Sequence, residues 1–303
     1  MGHHHHHHSP LHHHHHGHGD SSNIKVAFFL NLSFTIVEVV GGIFTNSLAI
    51  LSDALHDLGD SLTLGLAWYF QNLSKKGRDQ SFSYGYRRFS LLGAIINSVV
   101  LIVGSIFILV EAVPRVLHPE EVNAEGMIWL AILGIIVNGA AVLRLKKGTS
   151  INERVVSLHL LEDVLGWVAV LIASIIMLFF DVPLLDPILS MCIAAYILFN
   201  AYRGIKESFS IILQGVPKHI SVKSLEQQLL RIEGVQEVHD LHIWTMDGEY
   251  NIVSVHLVVS DDSTKQQIAE IRKIARNLLE NEQIEHVTIE VHTRSEASQL
   301  AKC

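Results

Sequence analysis

His56 and Asp60 stand four residues apart inside "SDALHDLGDSLTLGLAWYF" (52–70), and His159 and Asp163 repeat that spacing inside "SLHLLEDVLGW" (157–167). Residues four apart share one face of a helix. Two such pairs facing each other offer two imidazoles and two carboxylates, enough for a four-coordinate zinc site. The carboxylates also cancel the double charge of the ion, which matters where the dielectric is low. One HxxxD alone is short enough to be a local ion pair or the lining of a water-filled crevice. Two copies in two apolar segments favour the metal.

A charged carboxylate inside a membrane span costs about 3 kcal/mol on insertion scales, so each one is a functional candidate. Asn31 and Glu38 are seven apart and lie on one helix face. Asp53 and Asp57 flank the His56–Asp60 pair in sequence, though Asp57 directly follows His56 and points elsewhere around the helix. With Asp186, these residues are expected to support the site or to pass protons. Asn97, Asn138 and Asp186 fit equally well as hydrogen-bonding residues between helices. Glu162 lies beside Asp163, off the shared face.

The elements that must position these residues are six apolar segments of roughly 20 residues, long enough to span a bilayer. They run at about 24–45, 48–70, 90–113, 126–145, 155–180 and 184–206. Only 17% of the 303 residues are charged and 49% are hydrophobic, whereas a soluble domain carries about a quarter charged. Basic residues cluster between spans two and three (Lys75, Lys76, Arg78, Arg87, Arg88) and between four and five (Arg144, Lys146, Lys147, Arg154). Span three is followed instead by Glu120, Glu121 and Glu125, and span five by Asp181. Arg203, Lys206 and Lys218 follow the sixth span. Basic loops stay inside, which places both termini in the cytoplasm.

Other classes are excluded on similar grounds. A formal charge of -8 does not suit a nucleic-acid partner. No GxxxxGK(S/T) loop offers a nucleotide site, and no HExxH offers a zinc hydrolase. Cys192 lies in an apolar run and Cys303 is the last residue, so no disulfide framework is expected. The first twenty residues are nearly all His, Gly, Ser and Pro, and no signal peptide is expected among them.

From about residue 215 the pattern becomes that of a soluble domain. A helix fits 221–232, strands fit 235–246 and 249–259 around the turn residues Asp247-Gly248, a helix fits 264–280, and a strand fits 285–293. Alternation places His286, Glu290 and His292 on one face, opposite Val287, Ile289 and Val291. His239 and His242 would point to opposite faces of a regular strand, so both can reach one ion only if the strand is bulged. These histidines and His256 fit a metal site or ordinary surface and core positions alike. The expected organisation is a His-rich N-terminus over 1–23, a six-span transport domain over 24–212, a cytoplasmic α+β domain over 213–295 and a tail over 296–303.

Several stretches together resemble the cation diffusion facilitators, a family of metal-ion/proton antiporters. They are "NLSFTIVEVVGGIFTNSLAILSDALHDLGDS", "FSYGYRRFSLLGAIINS", "EAVPRVLHP", "HLLEDVLGW", "DPILSMCIAAYILFNAYRGIKESFSIILQGVP" and "VHDLHIWTM", and the resemblance covers about 24–293. It implies a six-helix transmembrane bundle, an αββαβ metallochaperone-like cytoplasmic domain and a homodimer. It also implies that His56, Asp60, His159 and Asp163 form the transport site, in the version that resembles zinc-preferring members. In the cytoplasmic domain it favours His239, His256 and His292 over His242 and His286. Some relatives carry a further metal site between spans two and three. Here "KKGRDQSFSYGYRRF" has Tyr84 and Tyr86 and no histidine, so no such site is expected. His3–His8 read as a purification tag, whereas 12–20 look like the metal-gathering N-termini of the family.

The resulting expectation is an integral protein of the bacterial cytoplasmic membrane that exports Zn2+ in exchange for protons by alternating access. It is not an enzyme. Cd2+, Co2+ and Ni2+ remain open, since divalent affinities at such ligands overlap. Two rivals stay in view: an intramembrane zinc enzyme with Asp57 as its base, and a membrane-anchored zinc sensor.

Overall fold

A computed structural model describes residues 20–74, 76–145, 151–180 and 182–297; both N-terminal histidine runs lie outside them. Six long helices come first: α1 (Asp20–Thr45), α2 (Leu48–Ser74), α3 (Phe89–Leu117), α4 (Ala124–Leu145), α5 (Ile151–Phe180) and α6 (Leu185–Ile212). Among the described residues, five of them are long and apolar enough to cross a membrane, over 28–45, 89–117, 124–143, 160–180 and 185–212. The sixth expected span, α2, is the exception. It is long enough at 27 residues, but Asp53, Asp57 and Asp60 fall within three turns and lower its hydropathy. α2 resolves the cost by sitting inside the bundle, against α1, α3, α5 and α6, with Asp53 and Asp57 buried.

The helices form two groups. α3 packs along α6, and α2 packs along α1 and α3; α4 and α5 form a second, tightly packed pair. The pair leans on the first group through α1, α2 and α6, and α2 meets α5 over a short stretch only. An apolar cluster of Ala49, Ile50, Met127, Ala131, Trp167, Val170 and Met177 seals the end of this seam where α2 and α4 begin. Gly134 of α4 lets the Trp167 indole lie against its backbone, where a Cβ would collide with the ring.

The C-terminal part is α7 (Val222–Leu230), β1 (Val235–Thr245), β2 (Asn251–Val259), α8 (Lys265–Asn281), β3 (His286–Thr293) and a single turn, α9 (Arg294–Ala297). This is the expected αββαβ order; α9 occupies the end of the domain where only chain was expected. The sheet order is β1-β2-β3, with β2 antiparallel to β1 and parallel to β3. One face carries Val253, Val255, Leu257, Val259 and Val287, packed against Leu225, Leu229, Ile271, Ala275 and Leu279. α8 begins at a capping box in which Thr264 and Gln267 satisfy each other's backbone. β2 starts two residues later than the alternation suggested. The Asp247 carboxylate holds the turn by accepting from the amides of Glu249 (3.1 Å) and Tyr250 (2.8 Å), and Gly248 has φ +99°, a conformation natural to glycine.

Candidate metal transport site

The seam between α2 and α5 brings three of the four ligand candidates together. His56 Nε2 lies 3.9 Å from Asp60 Oδ2 on its own helix and 3.7 Å from Asp163 Oδ1 across on α5. Donor atoms at the corners of a zinc tetrahedron, each about 2.0–2.1 Å from the metal, stand roughly 3.3 Å apart. The observed spacings exceed that by a few tenths of an ångström, within the reach of side-chain rotation. His159 lies in α5 one turn before Asp163, and its side chain is outside the described residues. The side chain of Asp163 is 9% exposed, against 26% for His56 and 30% for Asp60, so the set is open on the α2 side.

More carboxylates crowd behind these ligands. Glu38 of α1 is 1% exposed and lies within electrostatic range of Asp57, Asp53 and Asp163. Asp53 is in range of Asp57, Asp163 and Asp60, and its carboxylate lies beside Gly166 of α5. Two unit charges 4 Å apart repel by about 4 kcal/mol at an effective dielectric of 20. Such a group draws in positive charge, as metal ion or as protons. Asn31 joins α1 to the site helix: its Nδ2 donates to the Asp57 carbonyl (2.9 Å) and to Ser61 Oγ (3.1 Å).

Asp186 stands apart. Its carboxylate accepts from Ser47 Oγ (2.5 Å) and from the amides of Leu48 (2.8 Å) and Ala49 (3.2 Å). It thereby caps the N-terminus of α2, where free amides and the helix dipole favour an anion. That end is two turns of helix from His56. The structure places Asp186 in the interhelical role and away from the ligand set. Asn97 likewise donates to Thr63 Oγ1 (2.9 Å) across α2 and α3.

A second cluster forms on the solvent face of the cytoplasmic sheet. The β2–β3 register pairs His256 with Glu290 and Val258 with His292, which puts all three polar residues on one face. His256 Nε2 is 3.5 Å from Glu290 Oε2, and His292 Nε2 is 3.6 Å from Glu290 Oε1. One ligand atom from each lies within 4.8 Å of the others. His292 Nε2 is buried and lacks a hydrogen bond.

β1 is bulged where the histidines required it. Three steps on β1, from His239 to His242, match two on β2, from His256 to Ser254, and Asp240 takes φ +47°. The extra residue turns His239 and His242 to one face and brings Asp240 Oδ2 to 3.7 Å from His256 Nδ1. His239 is engaged by Glu237 at 2.9 Å, and His242 is exposed. His286 is drawn elsewhere, edge-on to Tyr84 of the α2–α3 connection with ring centroids 5.4 Å apart. Glu290 and Asp240 are the carboxylates that join the histidines in this cluster. Strand alternation already put Glu290 on the histidine face, whereas nothing in the sequence marks the bulge.

The Cation efflux transmembrane domain matches residues 24–213, and the cytoplasmic domain of cation efflux proteins matches 217–293. The chain is 35% identical over 285 residues to a cadmium, cobalt and zinc/H(+)-K(+) antiporter of Bacillus subtilis, covering 92% of each. It is 34% identical to the metal cation efflux system protein CzcD of Cupriavidus metallidurans, covering 90% of this chain and 86% of that one. It is also 34% identical to the zinc transporter ZitB of Pectobacterium atrosepticum, with the same coverage. With both domains matched and relatives aligned over nearly its whole length, the chain belongs to the cation diffusion facilitator (cation efflux) family, whose members are integral membrane transporters and not enzymes.

Proposed function

We propose that the chain exports Zn2+ from the cytoplasm in exchange for protons, through His56, Asp60, His159 and Asp163. The observation that carries this reading is the His56 imidazole set between carboxylates of two helices, at 3.9 and 3.7 Å. These helices belong to the two packed groups whose relative movement would open and close the seam. The apolar cluster seals the end away from the cytoplasmic domain, and His56 and Asp60 stay partly exposed. That combination supports a cytoplasm-open state. Once the seam rocks open on the far side, protons compete for the same nitrogens and oxygens, and metal affinity falls as ligands protonate. Histidine suits the task because its ordinary pKa, about 6.5, lies in the working range. The names of the relatives, which include zinc, cadmium and cobalt together with protons, support both the cargo and the coupling. Nickel shares the same ligand chemistry.

The domains divide at 212/213, where α6 ends. Both termini face the cytoplasm and the chain sits in the cytoplasmic membrane, in keeping with the basic loops. Two copies assemble as a homodimer, with no nucleotide or nucleic acid. His256, His292 and Glu290, with Asp240 and His239 near, hold a regulatory zinc. Asn31 and Glu38, with Asp53 and Asp57, set the electrostatics through which protons follow the metal. Metal-triggered proton flux tests the coupling. Zinc added outside reconstituted vesicles should make the lumen more alkaline, with cadmium and cobalt weaker. Zinc uptake with no change of luminal pH would leave a uniporter instead.

A further inference from the structure

The α2–α3 connection and the cytoplasmic domain line an open cavity of about 430 Å³ that lies outside both candidate metal sites. Lys76, Arg78 and Arg87 line it together with Tyr84, Tyr250 and His286. Asp247 is the carboxylate in its wall, and Arg87 already holds it at 3.4 Å while stacking 4.2 Å from the centre of the Tyr250 ring. Lys76 pairs with Asp79 at 3.8 Å. Arg78 is exposed and has no ion pair among the described residues, so a positive charge is left over at the lining of this open, polar cavity.

The cavity lies beside the end of α2 and the start of α3. Lys76 is two residues past the end of α2, and Arg87 two residues before the start of α3. Phe82 and Tyr84 of the same connection are 41% and 40% exposed. Exposed aromatic rings next to basic residues are the usual composition of the headgroup level. Basic pockets on the cytoplasmic side of membrane proteins attract anionic headgroups, and a guanidinium matches the oxygens of a phosphate in a two-pronged contact.

We propose that this cavity holds the phosphate of an anionic phospholipid, with Lys76 and Arg78 binding its oxygens between the α2–α3 connection and the cytoplasmic domain. Free phosphate has the same chemistry, and the two sources separate in one experiment. The purified full-length chain in detergent is examined by native mass spectrometry with phosphatidylglycerol, with phosphatidylcholine, and with phosphatidylglycerol plus excess inorganic phosphate. Phosphatidylglycerol should bind in preference to phosphatidylcholine and resist the inorganic phosphate. Lys76→Gln with Arg78→Gln should weaken it by roughly fivefold per cation removed, about 25-fold in all. The melting temperature in lipid-free detergent checks that the variant is folded; if it is not, Arg78→Gln alone carries the test at about fivefold. Equal binding of the two lipids, or undiminished phosphatidylglycerol binding by the folded variant, overturns the proposal. Displacement by inorganic phosphate would give the pocket to a soluble anion and overturn the lipid assignment.

Discussion

An imidazole at position 56 is what separates the proposed ligand set from one made mostly of carboxylates. With His56→Asp, His159 would be the one remaining nitrogen ligand, and a harder, more anionic site should discriminate less sharply. Cadmium or manganese should then gain several-fold on zinc in competition uptake; an unchanged profile would place selectivity elsewhere in the chain. At this scale the sequence was most informative where a local rule applied. His56 and Asp60 must share a face because they are four apart, and the repeat at His159 and Asp163 suggested the partner helix. Asp240 was opaque, because its approach to His256 depends on a bulge that no residue type announces. For Asp186 the interhelical role was one of two expected, and only its partners were illegible, since Ser47, Leu48 and Ala49 lie more than 130 residues away in the chain.

The elements follow the same division. All six spans were expected from apolar length; five meet that measure in the structure, and α2, with its aspartates, is made tolerable by the company of α1, α3, α5 and α6. Asp186 fixes the start of that helix. Asp186→Ala leaves buried amides and the Ser47 hydroxyl without an acceptor and should cost about 1–3 kcal/mol, read as a lower melting temperature. Apparent zinc affinity in the folded fraction should stay near that of the parent; a large loss of affinity with unchanged melting would restore Asp186 to the proton path. The α2–α3 connection is ordered by Asp79, which accepts from the Tyr86 hydroxyl and the amides of Phe82 and Ser81. The Tyr86 bond first, then the amides, hold its carboxyl below the ordinary value of 3.8. Its contribution is therefore full above that value and is lost as pH falls through the lower folded value. Asp79→Asn should speed amide exchange at Ser81 and Phe82 at neutral pH, and matching rates would show that the connection is held by other contacts.

At the scale of the whole molecule, the two proposed metal sites sit in separate domains joined by the Arg87–Asp247 and Tyr84–His286 contacts. If His256, His292 and Glu290 bind zinc only in the folded domain, metal must raise its melting temperature. Calorimetry of the fragment 213–303 should show that rise, by several degrees at saturating zinc, and its loss when His256 and His292 both become Ala. No shift in the parent fragment would return these histidines to an ordinary surface role.

In the proposed function transport turns on the seam between α2 and α5, where α5 brings the carboxylate of Asp163 to 3.7 Å from His56. Zinc uptake into proteoliposomes, with and without a pH gradient, compares the parent chain with Asp163→Ala at equal reconstitution and equal dimer content. Uptake should be gradient-stimulated in the parent and reduced to the level of empty vesicles in the variant, because the remaining ligands can neither enclose the ion nor cancel its charge. Gradient-driven zinc uptake that survives in Asp163→Ala would contradict the assignment of the transport site.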